Sequence, residues 1–194
     1  MARPIEFDRK KTLQDAMLLF WRQGYHKTSV RDLTEATRLQ PGSLYGAFKN
    51  KRSLFLYSLD YYAGELKRFV DSVLNSDEPP LTRIRLFFEH LLEETAADPE
   101  GKGCLLVNTL LEIPVEDEEI NQRVTQALEY VEQRLCQVLT EALERGELAP
   151  GKDPSTLARL LMTGIFGLRV YNKMQPQREA LDDIVDSLLS VVNA

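Results

Sequence analysis

From Asp8 onward, apolar residues return at i, i+3, i+4 and i+7. No run of four to eight residues alternates apolar and polar between turn signals. A repeat of about 3.6 residues without any period of two predicts an all-α fold. The first helix starts at Asp8, a good N-cap, and carries Leu13, Ala16, Met17, Phe20 and Trp21 on one face until Gly24 supplies a left-handed stop. Thr28 and Ser29 offer caps for a short second helix that buries Val30, Leu33 and Ala36. A third runs from Pro41 to Phe48, with proline where a first turn tolerates it. A long fourth helix extends from about Asn50 to Leu74, and Ser76 to Pro80 breaks the chain.

Beyond that break the helices lengthen. Ile84, Phe87, Phe88, Leu91 and Leu92 form one stripe, Cys104 to Leu111 a short apolar segment, and Val124, Leu128, Val131, Leu135 and Val138 a third stripe on a helix ending at Gly146. After the loop Pro150 to Pro154 come two last helices. Their faces are Leu157, Leu161, Gly164, Ile165 and Leu168, then Leu181, Ile184, Val185, Leu188 and Val192. Both faces are wide for packing on one side only. They predict a homodimer in which two such pairs make a four-helix bundle, with Gly164 and Gly167 permitting close approach. The expected division is 1–55 for a three-helix head and 56–194 for a helical body, with the fourth helix linking them.

Charge divides the chain at the same place. Residues 1–55 hold 11 Lys and Arg against 5 Asp and Glu; the remainder hold 13 against 25. A basic head beside an acidic body predicts a polyanionic partner for the head alone. No apolar run reaches the roughly 18–20 residues of a membrane span, and no apolar segment follows the first charges as in a secretory signal. The expected compartment is therefore the cytoplasm, with Cys104 and Cys136 reduced. His26 and His90 lack partners at metal-ligand spacing, so neither metal nor cofactor is expected. No Gly-rich phosphate loop, nucleophile elbow or E-x-x-H pair supports an enzyme.

Three short helices, the second and third joined by a tight turn, are the layout of a helix-turn-helix unit whose third helix enters the major groove of double-stranded DNA. Gly42, Ser43 and Gly46 keep the exposed side of that helix small, while Leu44 and Phe48 anchor it. Tyr45 points away from the anchor; Thr28, Lys49 and Lys51 flank the same surface with hydroxyl and ammonium donors for phosphate. The helix starts at Ser29, Pro41 and Lys51 add partial positive charge.

The stretch from Gly24 to Phe55, GYHKTSVRDLTEATRLQPGSLYGAFKNKRSLF, resembles the DNA-binding domain of the tetracycline-repressor (TetR) family of bacterial regulators. Gly24-Tyr25, Thr28, Ala36, Leu44-Tyr45, Phe48, Lys51 and Leu54 carry the resemblance. Arg38 stands in the turn where the family often has Gly, and Gln40 where Ser or Thr usually caps the recognition helix. Gly46-Ala47 replaces a bulkier pair. With fewer long side chains on the third helix, base reading falls to Arg31, Arg38, Gln40 and Ser43, and to DNA shape.

The resemblance implies a ligand-released repressor that binds a palindromic operator as a dimer, with a small-molecule effector held in the helical body. Phe87, Phe88, Leu91, Asn108, Val131, Met162, Phe166 and Tyr171 are the pocket candidates. The same aromatic and Met stripes equally describe plain core. Gly103-Cys104-Leu105 resembles a helix start in one branch of the family that includes an electrophile-responsive repressor. Cys104 is thus either a sensor thiol or a small buried hydrophobe.

Overall fold

Local capping chemistry starts the early helices. In the computed structural model, which describes residues 8–98, 100–174 and 177–193, the Asp8 carboxylate accepts the Lys10 and Lys11 N–H at 2.9 and 3.1 Å and opens α1 (Arg9–Gln23). Gly24, at φ 83°, closes it. Ser29 and Asp32 form a reciprocal capping box at the start of α2 (Val30–Thr37): the Ser29 N–H donates to Asp32 Oδ2 at 2.8 Å, and the Asp32 N–H donates to Ser29 Oγ at 3.1 Å. Pro41 takes the first position of α3 (Pro41–Phe48), and Asn50 Oδ1 accepts the Ser53 N–H at 2.8 Å at the start of α4 (Lys51–Leu74). The remaining helices are α5 (Pro80–Ala96), α6 (Leu105–Glu112), α7 (Glu118–Glu144), α8 (Pro154–Tyr171) and α9 (Arg178–Asn193), and the described residues include no strand.

The chain divides into two compact units, neither continuous in sequence. Met1–Glu65 and Leu105–Val124 form the first; Leu66–Cys104 and Thr125–Ala194 form the second. In the first, Ala16 and Phe20 of α1, Leu33 of α2, Leu44 and Phe48 of α3 and Leu54, Phe55 and Leu59 of α4 are at most 1% exposed. Phe20 meets Phe55 edge-on with 5.0 Å between ring centroids. The buried side of α2 is rotated from its expected register: Leu33 and Thr37 are buried, whereas Val30 is exposed. Val30 is the first helical residue, so its side chain clears the end of the helix instead of joining the stripe.

The second unit explains where the wide apolar faces go. Leu157, Leu161, Ile165 and Leu168 of α8, with Leu181, Val185 and Val192 of α9, are buried in the core of their own chain, against α5 and α7. They were expected at a dimer interface; the chain uses them internally. Ile184 and Leu188 are partly buried on the same core. Gly164 serves this packing too, because a Cβ there would lie 2.5 Å from Leu188 Cδ1. What α8 and α9 leave exposed is a different set: Leu160, Val170 and Tyr171, with Val191 on α9 and Met174 just beyond α8.

The pocket candidates are placed as follows. Phe87, Phe88, Leu91, Val131 and Met162 are at most 4% exposed and belong to the packed core, with Phe166 set against it. Tyr171 is exposed, and Asn108 lies on α6 in the first unit. Two clefts of the second unit are lined by other residues. One of about 350 Å³ lies among Ser72, Ser76, Leu86, Glu89, His90 and Glu93. One of about 150 Å³ lies among Leu81, Ile84, Arg85, Leu189 and Val192.

Candidate nucleic-acid interface

The third helix presents an open surface. Leu44 and Phe48 are buried at 0 and 1% exposure, which turns Pro41, Gly42 and Gly46 outward, with Ser43 partly exposed. A Cβ built on Gly42 or Gly46 would meet nothing within 4 Å. Internal packing therefore does not require these glycines, and what they provide is a surface on which another molecule can approach the backbone. Gln40 occupies the N-cap without a side-chain hydrogen bond to the helix, so its amide is exposed beside Gly42 and Ser43. Arg38 closes α2 at φ 57°, in the left-handed region where glycine is favoured.

Cations surround this surface unequally. Lys27, Arg31, Arg38 and Lys49 are exposed and make no ion pair among the described residues. Arg52, in the same basic run as Lys49 and Lys51, is spent inside the protein. Its guanidinium meets Asp117 through two bonds of 2.6 and 2.8 Å and Glu119 through one of 3.1 Å. The bond from Arg52 holds the Asp117 carboxyl below the ordinary carboxylate range, against the opposing effect of burial. Lys51 is partly buried with its ammonium 4.6 Å from the centroid of the Tyr25 ring. Burial pushes its pKa down, and the carboxylates of Glu112 and Asp32 act in the opposite direction.

Two expected hydroxyl donors are placed differently from their sequence reading. Thr28 is 1% exposed and its Oγ1 donates to the Gly24 carbonyl at 2.5 Å; the side chain bridges the α1–α2 turn and does not reach the surface. Tyr45 is partly buried, and its hydroxyl is buried without a hydrogen-bond partner among the described residues. Burial raises the pKa of that hydroxyl, with a smaller contribution from Tyr25. Ser29 is exposed, but its hydroxyl is engaged in the capping box. Lys27, exposed beside the buried Thr28, joins the surface, and no sequence pattern marks it. Cys104 is partly buried just before α6. Among the described residues no cluster of His, Cys, Asp and Glu is arranged to hold a metal ion, and no helix is long and apolar enough to cross a membrane.

Residues 13–57 match the family model described as bacterial regulatory proteins, tetR family. Residues 80–188 match that described as Tetracyclin repressor-like, C-terminal domain. The chain belongs to the TetR family. Among TetR-family relatives, the HTH-type transcriptional repressor ComR of Escherichia coli strain K12 is 29% identical over 188 residues, covering 96% of this chain and 90% of its own. A cysteine-substituted form of the TetR family transcriptional regulator CifR, complexed with 26-base-pair double-strand operator DNA, is 31% identical with a TM-score of 0.84. That alignment covers 97% of this chain and 98% of CifR. The regulatory protein TetR from Rhodobacter sphaeroides is 26% identical with a TM-score of 0.84, covering 93% and 97%. Most of α1 to α3, and most of the body, lie within matched segments.

Proposed function

We propose that this TetR-family chain is a cytoplasmic transcriptional repressor that binds a palindromic DNA operator as a homodimer and is released by a small-molecule effector. The observation that carries the reading is the surface of α3. Its outward glycines open the backbone, and Lys27, Arg31, Arg38 and Lys49 around it are exposed and make no ion pair among the described residues, so their charge is available to phosphates. Gln40, Ser43 and Arg38 are the residues proposed to read base edges, and the helix starts at Ser29 and Pro41 to face phosphate. The operator-bound form of CifR supports the same use of the fold.

The exposed apolar residues Leu160, Val170, Tyr171 and Met174 recur at helical spacing along α8 and its extension, with Val191 on α9. A second copy of the chain is the proposed occupant of that stripe, giving the four-helix arrangement usual for such pairs.

Selection of duplexes from a random pool by the full chain, followed by fluorescence anisotropy across a salt series, tests the reading. An enriched inverted repeat is expected, with affinity falling steeply as salt rises. Failure to enrich any sequence would overturn it. For release, an effector found by screening should bind more weakly in the presence of saturating operator, by the same factor as it weakens DNA binding. Equal effector affinities with and without DNA would remove release from the proposal.

A further inference from the structure

The turn between α1 and α2 is held by a residue from far along the chain. Gly24 takes φ 83°, and the next two amides converge on one carboxylate. The Tyr25 N–H donates to Glu112 Oε2 at 2.9 Å and the His26 N–H to Glu112 Oε1 at 2.7 Å. Successive backbone N–H groups after a positive-φ residue form a concavity suited to an anion. Here the anion is the last residue of α6, and the fit is close. A Cβ on Gly24 would lie 2.6 Å from Glu112 Oε2, so only glycine admits the carboxylate.

The turn is linked on both sides to the proposed DNA-facing surface. Tyr25 carries the Lys51 ammonium over its ring at 4.6 Å and packs against Phe55 with 4.7 Å between centroids. In the chain direction, Lys27 follows within one residue of the second clamped amide. Thr28 bridges back to the Gly24 carbonyl at 2.5 Å, and Ser29 then caps α2.

The sign of Glu112's charge sharpens the question. A carboxylate beside a surface meant for a polyanion repels it, so a bystander there would only weaken DNA binding. We propose that Glu112 is a positioning residue for DNA binding. Its carboxylate fixes the α1–α2 turn through the Tyr25 and His26 amides, and so holds Lys27, the start of α2 and Lys51 in place for phosphate. The inference rests on the DNA-binding reading above.

The test uses the full chain and its Glu112→Gln and Glu112→Ala variants with a duplex enriched from a random pool by the unsubstituted protein. Affinity is measured by anisotropy, folded fraction by circular dichroism, and the Tyr25 and His26 amide protons by nuclear magnetic resonance. Both amide protons should move upfield in both variants as the charge-assisted bonds are lost. Glutamine keeps one acceptor, so affinity should fall by roughly tenfold with Glu112→Gln and by up to roughly a hundredfold with Glu112→Ala. Unchanged or tighter binding in both variants is what removal of a bystander charge gives, and would overturn the proposal. So would unmoved amides, or an affinity loss no larger than the loss of folded protein. If the unsubstituted chain enriches no duplex, the DNA-binding reading itself fails; if it enriches one and the variants bind equally well, only the role of Glu112 does.

Discussion

Replacing Arg38 by glycine should move stability and DNA binding in opposite directions. Arg38 closes α2 at φ 57° and ψ 24°, a left-handed conformation that costs an L residue about 1–2 kcal/mol. Its backbone N–H donates to the Glu35 carbonyl at 3.4 Å, a bond glycine retains. The side chain is exposed and makes no ion pair among the described residues, so its removal leaves no buried group unpartnered. Glycine returns about 0.4–1 kcal/mol through the greater freedom of its unfolded chain. Arg38→Gly should therefore be more stable by about 0.5–1 kcal/mol, a rise in Tm of about 1–4 °C for a chain of this length. On DNA the same change removes one cation, making the logarithmic salt dependence shallower by about one per protomer. Loss of base reading at one position would add about 1–3 kcal/mol of lost discrimination. Thermal melts and anisotropy titrations in the same buffers measure both. A lower Tm would refute the strain argument, and an unchanged salt dependence would remove Arg38 from the interface.

Thr28→Val keeps the shape of a buried side chain but deletes its bond to Gly24; it should lower stability by about 1 kcal/mol in urea titration while leaving the salt dependence of DNA binding unchanged. A shallower dependence would restore Thr28 as a phosphate contact. Because Arg52 depresses the Asp117 carboxyl, the stability this pair contributes is fully present above the ordinary carboxylate range and is lost as pH falls through the depressed value. Arg52→Ala should flatten the acid limb of a stability-versus-pH profile, and two profiles with the same slope there would refute the assignment. The exposed pair Val170→Glu and Met174→Glu should yield a folded monomer by light scattering. Leu161→Glu, at a position with 0% exposure, should instead unfold the second unit; a dimeric Val170, Met174 double variant would place the interface elsewhere.

Features set by near neighbours were legible in the sequence. Asp8, Gly24, and Ser29 with Asp32 fix helix ends through bonds spanning two to four residues, Pro41 does so through its fixed φ, and α3 begins and ends where the spacing places it. Orientation within those ends was less legible. Thr28 reads as cap or as surface donor, and the bond to the carbonyl four residues back makes it neither, because Ser29 is the cap and Thr28 is buried. The α8 and α9 stripes were recognisable as apolar, but periodicity does not say whether the covering surface belongs to the same chain or another, and the internal core takes most of it. A clasp such as Tyr25 to Glu112, 87 residues apart, leaves no periodic trace at all. Neither does the diversion of Arg52 to Asp117, which a count of basic residues scores as one more charge for DNA.

The two-segment make-up of the first unit bears on transplantation. Consider an exchange of recognition heads between bodies with the cut placed in α4. A graft ending at residue 65 would import Tyr25, His26 and Arg52 and leave behind Glu112, Asp117 and Glu119, their acceptors. The recipient's own residues at those places would have to supply three carboxylates of matching reach. On the proposed role of Glu112, the unit to transplant is the pair of segments, and a chimera that carries 105–124 along with the N-terminal stretch should keep its operator when it changes body.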